Sequence, residues 1–315
     1  MRDVLRRLVA GELSEDQALA ELRRIQLDEL AGKAKLDLGR HLRRGLPEVV
    51  LAPGKSPREA ARLAVAMAER QGQGLISRMS DAHRAALAEA ARGMEIVSYS
   101  TSARVMRRGF APDAVEGKVG ILTAGTSDVP AADEARMVVE ACGLEARLDA
   151  DLGVAGLHRF VAPLAAMLDW GADVLIVAAG MDGVLPGLVA GLVDAPVIGL
   201  PVSTGYGRGG AGEAALTTML QSCSTGLVAV NIDNGVGAGA AAALIAARAA
   251  QGRRRGRQMA KTANTIAPKI KSPKTAAAMT RETSAPPGTA KTRAKSTTVA
   301  NTAARSQGKP RRRRP

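Results

Sequence analysis

Between residues 117 and 251, short apolar runs ending in glycine or polar residues alternate with stretches patterned as helices. A chain written this way folds as a parallel sheet with helices on its faces, joined by right-handed crossovers. The runs KVGILTAG (118–125), LEARLDAD (144–151), ADVLIVAAG (172–180), PVIGLPV (196–202) and GLVAVNID (226–233) read as strands. Helical patterning fills 130–143, 157–171, 184–194 and 212–223, and a closing helix covers 239–251. The expectation is an α/β fold whose main part is a three-layer, flavodoxin-like domain over 116–251. Aromatic residues are only 2% of the chain while hydrophobic ones are 46%, so the core must be built from Ala, Val, Leu, Ile and Met.

The preceding residues 1–115 read as a small N-terminal α/β domain. Residues 1–31 look helical, with Ser14 and Gln17 as a capping box that opens a second helix through Leu30. Strands are expected at 47–52, 74–78 and 94–100. Helices are expected at 56–72, with Ser56 as N-cap and Pro57 at its first position, and at 80–93.

Charge divides the chain a third time. The net charge is +14, yet residues 252–315 carry eighteen Lys and Arg against the single acid Glu282. The remainder has 26 basic and 29 acidic residues and is mildly acidic. A segment this poor in large apolar side chains cannot offset its chain entropy by burial, so 252–315 reads as a disordered basic tail. Such a tail would hold phosphate polymers nonspecifically at low salt, which leaves a nucleic-acid-binding protein as one alternative class. It has no aromatic residue on which bases could stack.

With two cysteines, Cys142 and Cys223, the chain reads as a reduced, cytoplasmic protein. Its N-terminus lacks the apolar core of a signal peptide, and no run approaches a membrane-spanning length.

Ligands of an open parallel sheet bind beyond the carboxyl ends of its strands. Gly125-Thr126-Ser127-Asp128 follows the first strand and opens a helix, which suits an anion cradle and equally suits an ordinary N-cap. His158-Arg159 follows the second, able to bind phosphate or move a proton, or merely incidental. Gly180-Met181-Asp182-Gly183 follows the third. The run Ser203-Thr204-Gly205-Tyr206-Gly207, continuing to Gly212, follows the fourth and could cradle a nucleotide or serve as a flexible connection. Asn231-Ile232-Asp233-Asn234 ends the last strand as a polar wall or as turn chemistry. Cys223, near the end of a helix, is either a nucleophile or a small packed residue, and Cys142 falls on an apolar helical stripe. Zinc spacing, a Walker lysine motif, a hydrolase elbow and a dinucleotide fingerprint after the first strand are all missing.

Taken together, GTSD (125–128), GLHR (156–159) and LPGLVAGLVDAPVIGLPV (185–202) resemble the carboxylating mutases of purine synthesis. The histidine those mutases carry just before LPG falls on Val184 here. RRGLPEVV (43–50), Gly54-Lys55, Ser77-Arg78, GMDGVLPGLVAGLVDAPVIGLPVSTGYG and LQSCSTGLVAVNIDNGVGA resemble the LarB family of nickel-pincer nucleotide cofactor biosynthesis over most of 1–250. That resemblance implies carboxylation of the pyridinium ring of nicotinic acid adenine dinucleotide by carbon dioxide or bicarbonate, with cleavage of its phosphoanhydride. The products would be pyridinium-3,5-biscarboxylic acid mononucleotide and AMP, early in maturation of enzymes such as lactate racemase. Cys223 would be the nucleophile, with Asp182 and His158 as acid–base candidates. Gly125, Thr126, Ser127, Asp128, Arg159, Gly180, Ser203, Gly205, Tyr206, Gly207, Asn231, Asp233 and Asn234 would hold the substrate. Arg43, Lys55 and Arg78 could reach its adenylate end or equally form surface salt bridges. Cleavage of a phosphoanhydride gains from a divalent cation, so Mg²⁺ riding on the substrate phosphates is expected, with no prosthetic group. The resemblance also implies a homo-oligomer of octamer type. A purine-pathway mutase is the alternative within the same fold.

Overall fold

The computed structural model describes residues 2–266, apart from 25–26, 31–33 and 38–43. The chain opens with helices α1 (Arg2–Val9) and α2 (Glu15–Arg24), followed by an antiparallel pair, β1 (Leu27–Leu30) and β2 (Ala34–Asp37). The helix expected through Leu30 therefore stops at Arg24, and its last residues are strand. The capping box that opens α2 is present, with the Ser14 hydroxyl accepting from the Gln17 amide and the Gln17 side chain accepting from the Ser14 amide. Arg43 lies outside the described residues.

Next come β3 (Val49–Leu51), α3 (Pro57–Gln71), β4 (Gln73–Ser77), α4 (Asp81–Ala90), β5 (Glu95–Tyr99) and β6 (Ser102–Met106). The Ser56 hydroxyl accepts from the Glu59 amide, Pro57 starts α3, and Gly72 ends it in the left-handed region, as the sequence pattern asks. The strands form a mixed sheet in the order β3-β4-β6-β5, with β3 and β4 parallel and the other pairs antiparallel. Strand β6 was not expected. Its residues SARVM hold an arginine amid apolar neighbours, and the β5–β6 turn at Ser100-Thr101 carries no glycine or proline to announce a hairpin.

The second half is β7 (Lys118–Thr123), α5 (Val129–Ala141), β8 (Glu145–Asp149), α6 (His158–Trp170), β9 (Val174–Ala179), α7 (Val184–Ala190), β10 (Val197–Pro201), α8 (Glu213–Leu220), β11 (Leu227–Ala229) and α9 (Gly235–Ile266). Its strands pair only in parallel, in the order β8-β7-β9-β10-β11. This is the flavodoxin-like order expected from the alternation. Strand alternation sorts the core. Val119, Ile121, Val174, Ile176, Ile198 and Leu200 face α5 and α9, whereas Leu122, Leu175, Val177 and Val197 face α6, α7 and α8. Small residues let the helices approach closely, and a Cβ on Gly239 of α9 would press on the Ala135 carbonyl of α5. That packing is how a core almost without aromatics is filled.

Helix α5 lies between the two sheets. Ala131, Ala132, Ala135 and Val139 join the core of the parallel sheet, while Met137, Val138 and Ala141 pack on Leu75 and Tyr99 of the mixed sheet. Polar ties fix the seam. Tyr99 Oη donates to Glu140 Oε2 at 2.6 Å, Ser100 Oγ to Asp133 Oδ2 at 2.6 Å, and Gln73 Nε2 to the Ala141 carbonyl at 2.8 Å.

Helix α9 runs on to Ile266, well past the expected end at Gln251. Its extension is anchored, because Arg253 pairs with Asp173 and Arg257 with Glu116. The remainder of the expected tail lies outside the described residues. No described helix is long and apolar enough to cross a membrane.

Candidate functional site

A cavity of about 250 Å³ opens at the carboxyl ends of β7 and β10, lined in part by Ser127, Ser203, Thr204 and Asp233. β7 and β9 flank the point where the strand order reverses, and the backbone there is free to meet a ligand. Asp128 sits at this point, 3% exposed. Its Oδ2 accepts from the Gly125 amide at 2.9 Å, and its Oδ1 accepts from the Thr204 hydroxyl at 2.8 Å. Gly180 completes the arrangement, since a Cβ there would collide with Thr204 Oγ1. Burial pushes the Asp128 carboxyl above its ordinary value of 3.8, opposed by these hydrogen bonds. Asp128 is thus a positioning carboxyl that ties the β7 loop to the β10 loop.

Asp233 ties in the loop after β11. Its Oδ1 accepts from the Ser203 amide at 2.8 Å, and its own amide donates to the Pro201 carbonyl at 2.8 Å. Asp233 is held at φ 57, a conformation that costs a non-glycine residue energy and is kept where surrounding structure enforces it. Asn234 is a cap: its side chain accepts from the Gly237 amide and its carbonyl from the Ala238 amide at the start of α9. Asn231 bonds its neighbour, Ile232.

The N-terminal domain supplies part of the wall. Arg78 follows β4 and Thr101 follows β5, and both line the cavity. Arg78 is held at φ 57, its Nε lies 3.5 Å from Glu134 Oε1, and its Nη2 donates to the Asp233 carbonyl. Glu134, on α5, is 3% exposed. Its Oε2 accepts from the Val236 amide at 3.1 Å, and its Oε1 faces Arg78 Nε. Burial pushes this carboxyl upward, with the Arg78 charge pulling the other way.

Of the residues expected from sequence, Gly125, Ser127, Asp128, Gly180, Ser203 and Asp233 gather at this point. Thr126, Gly205, Tyr206 and Gly207 lie on its exposed rim loops, outside the cavity wall. His158 and Arg159 are exposed at the start of α6, where Arg159 pairs with Asp151 at 2.7 Å. Asp182 is exposed, and its Oδ1 takes the Val184 amide at 3.4 Å at the start of α7. Cys223 is exposed and precedes β11, at the amino end of the parallel sheet, whereas the cavity lies at the carboxyl end. Its neighbour Ser224 donates to the Gly187 carbonyl of α7 at 2.7 Å. Cys142 is half-buried with its thiol pushed up to about 12 by burial, an inert packed cysteine at neutral pH.

Sequence reasoning missed Thr101, Thr204 as a ligand of Asp128, and Glu134. Glu134 had one signal, a charge in DEAR on the side of α5 that its spacing turns inward. Among the described residues no group of three or more His, Cys, Asp or Glu is placed to hold a metal ion.

Comparisons with known proteins match two stretches of the chain. Residues 118–268 match the family described as AIR carboxylase, and residues 28–109 match the LarB/PurE-like N-terminal domain. A relative in Methanocaldococcus jannaschii, the uncharacterized protein MJ0165, is 38% identical over 253 residues, covering 78% of this chain and 96% of its own. Among solved structures, a variant of Treponema denticola PurE2 is similar at 17% identity with a TM-score of 0.33, covering 48% of this chain and 99% of its own.

Proposed function

The chain belongs to the family that joins a LarB/PurE-like N-terminal domain to an AIR carboxylase domain, and from that premise we propose that it carboxylates a pyridinium dinucleotide. PurE-like carboxylase or mutase chemistry is the coarse class. The finer reading is that nicotinic acid adenine dinucleotide and carbon dioxide become pyridinium-3,5-biscarboxylic acid mononucleotide and AMP. One observation carries it: the cavity wall is shared by both domains, with Arg78 and Thr101 from the first and Ser127, Ser203, Thr204 and Asp233 from the second. A mononucleotide mutase has no call for the extra domain, and Val184 stands where such mutases carry histidine.

The chemistry follows from the substrate. A pyridinium ring is electron-poor and does not attack carbon dioxide. Addition of the Cys223 thiolate to the ring gives a neutral, enamine-like dihydropyridine whose opposite carbon is nucleophilic. That carbon bonds to carbon dioxide, a base removes the proton from the same carbon, and the thiolate leaves with the electron pair of the C–S bond as aromaticity returns. Water then cleaves the phosphoanhydride. Asp182 is the base candidate, on the exposed loop after β9 at the carboxyl end of the sheet. Asp128 and Asp233 hold the binding loops in place.

Cys223 lies at the sheet end opposite its own cavity, so this reading assigns it to the cavity of a neighbouring copy. Exposed Leu192, Leu220 and Val228, all on the same flank of the parallel sheet, support burial of that flank in a homo-oligomer. Mg²⁺ enters the proposal as a counterion of the substrate phosphates.

Intact-protein mass spectrometry of the enzyme incubated with the dinucleotide, without bicarbonate, tests the nucleophile. An adduct on wild type that Cys223→Ala lacks is expected. An adduct retained by the variant removes Cys223 from the mechanism.

A further inference from the structure

Arg78 and Asp233 meet across the seam between the domains, and both of these non-glycine residues are held at φ 57. That conformation costs energy and persists where the surroundings enforce it, typically around functional sites. Arg78 Nη2 donates to the Asp233 carbonyl, which also accepts from the Gly235 amide at 3.0 Å, so both lone pairs are used. Asp233 passes the hold on to the loop after β10. Its Oδ1 accepts from the Ser203 amide and its own amide donates to the Pro201 carbonyl, each at 2.8 Å. Arg78, Ser203 and Asp233 all line the same cavity.

Helix electrostatics do not explain an arginine at this place. A cation beside the start of α9 meets the positive end of the helix dipole. Glu134 already supplies the anion that this helix end favours, because its Oε2 accepts from the Val236 amide at 3.1 Å. The same buried carboxyl keeps the guanidinium in place, with Arg78 Nε 3.5 Å from Oε1 and the Ser77 and Arg78 side chains both against it. The loop that carries Arg78 is braced from its own side as well. The Met79 amide donates to the Thr101 carbonyl at 2.7 Å, and Ser100, at φ 31, donates to Asp133 of α5 at 2.6 Å. What Arg78 adds is therefore a fixed grip on Asp233. We propose that Arg78 is a positioning residue, which holds Asp233 in its strained turn and through it fixes the Ser203–Thr204 loop at the cavity wall. This inference rests on the reading of the cavity as the nucleotide site and deepens it, since the N-terminal domain then shapes a binding loop of the other domain.

The test is hydrogen exchange of the full chain, read by mass spectrometry over 201–207 and 230–236 beside the core strands β7 and β9. In Arg78→Met, exchange of the two loop segments should rise about tenfold, as fits loss of a hydrogen bond from a charged group, with β7 and β9 unchanged. Asp233→Ala should raise exchange of 201–207 by a similar factor. The double variant Arg78→Met/Asp233→Ala should go no further than either alone, because the two residues act in series. Removing the cation beside Glu134 can weaken folding, so Arg78→Met/Glu134→Gln is measured alongside. It should melt nearer wild type and keep the raised loop exchange. Loop exchange that stays at the wild-type rate, or that rises evenly with β7 and β9, overturns the positioning role. Effects that multiply in the Asp233 double variant overturn it too. In carboxylation assays Arg78→Met should raise KM for the dinucleotide about tenfold with kcat within about threefold, the mark of lost uniform binding. A wild type that carboxylates no dinucleotide, with the localised exchange still present, overturns the functional reading and leaves the positioning role standing.

Discussion

Thr204 Oγ1 donates to Asp128 Oδ1 at 2.8 Å, which locks the loop after β10 to the loop after β7 at the point where the strand order reverses. Since Asp128 is buried and its carboxyl is raised, the folded protein holds that proton more tightly than the unfolded chain does. A raised native value means stability that is fully present below the ordinary 3.8 and is lost as pH rises through the native value. Urea unfolding of wild type and Asp128→Asn from pH 4 to 7 should show the difference between them falling against wild type as pH rises, then levelling off. A difference moving the other way contradicts the account. Catalytic efficiency of the variant should drop about tenfold or more, because the asparagine cannot accept on both sides.

The seam between the two sheets depends on Tyr99, fully buried with its hydroxyl on Glu140. Tyr99→Phe keeps the ring packing and removes one hydrogen bond to a charged group, a loss of about 1.5–3 kcal/mol. Denaturant unfolding should report it, while activity per folded molecule stays near wild type.

The extension of α9 predicts a difference between two truncations. A chain ending at Gln251 loses Arg253 and leaves the carboxylate of Asp173, 7% exposed, without its cation. The Lys118 amide still donates to it at 2.9 Å, and Arg253 itself is partly solvated, so a loss of about 1–2 kcal/mol is expected. A chain ending at Ile266 should melt within a degree or two of the full protein. Equal melting of both truncations contradicts the anchoring role.

If Cys223 serves a neighbouring copy, two inactive variants should rescue each other. Cys223→Ala and Asp128→Ala, dissociated, mixed and reassembled, should recover measurable carboxylation, because some interfaces then pair an intact cavity with an intact thiol. No recovery in verified mixed oligomers shows that Cys223 acts within its own chain.

The parallel sheet was legible because its three inner strands are buried on both faces and write near-continuous apolar runs, such as VLIVAA at 174–179. Loop glycines and hydroxyls pointed to Gly125, Ser127, Gly180 and Ser203 for the same local reason. What stayed hidden depends on contacts far apart in sequence. Thr204 matters only because Asp128 lies beside it, and Glu134 only because Arg78 arrives from the other domain. The strand at 27–30 was read as helix because LDEL continues the pattern of α2, and only its pairing with 34–37 reveals it. The end of α9 was misplaced because the charge run after Gln251 looks solvated, whereas Arg253 and Arg257, one turn apart, reach back to Asp173 and Glu116.

The most direct measurement is incubation with nicotinic acid adenine dinucleotide, ¹³C-bicarbonate and Mg²⁺, read by mass spectrometry of the small molecules. The account predicts a biscarboxylated pyridinium mononucleotide carrying one ¹³C, together with AMP, from wild type and from no Cys223→Ala sample. An untouched dinucleotide with wild-type protein contradicts it.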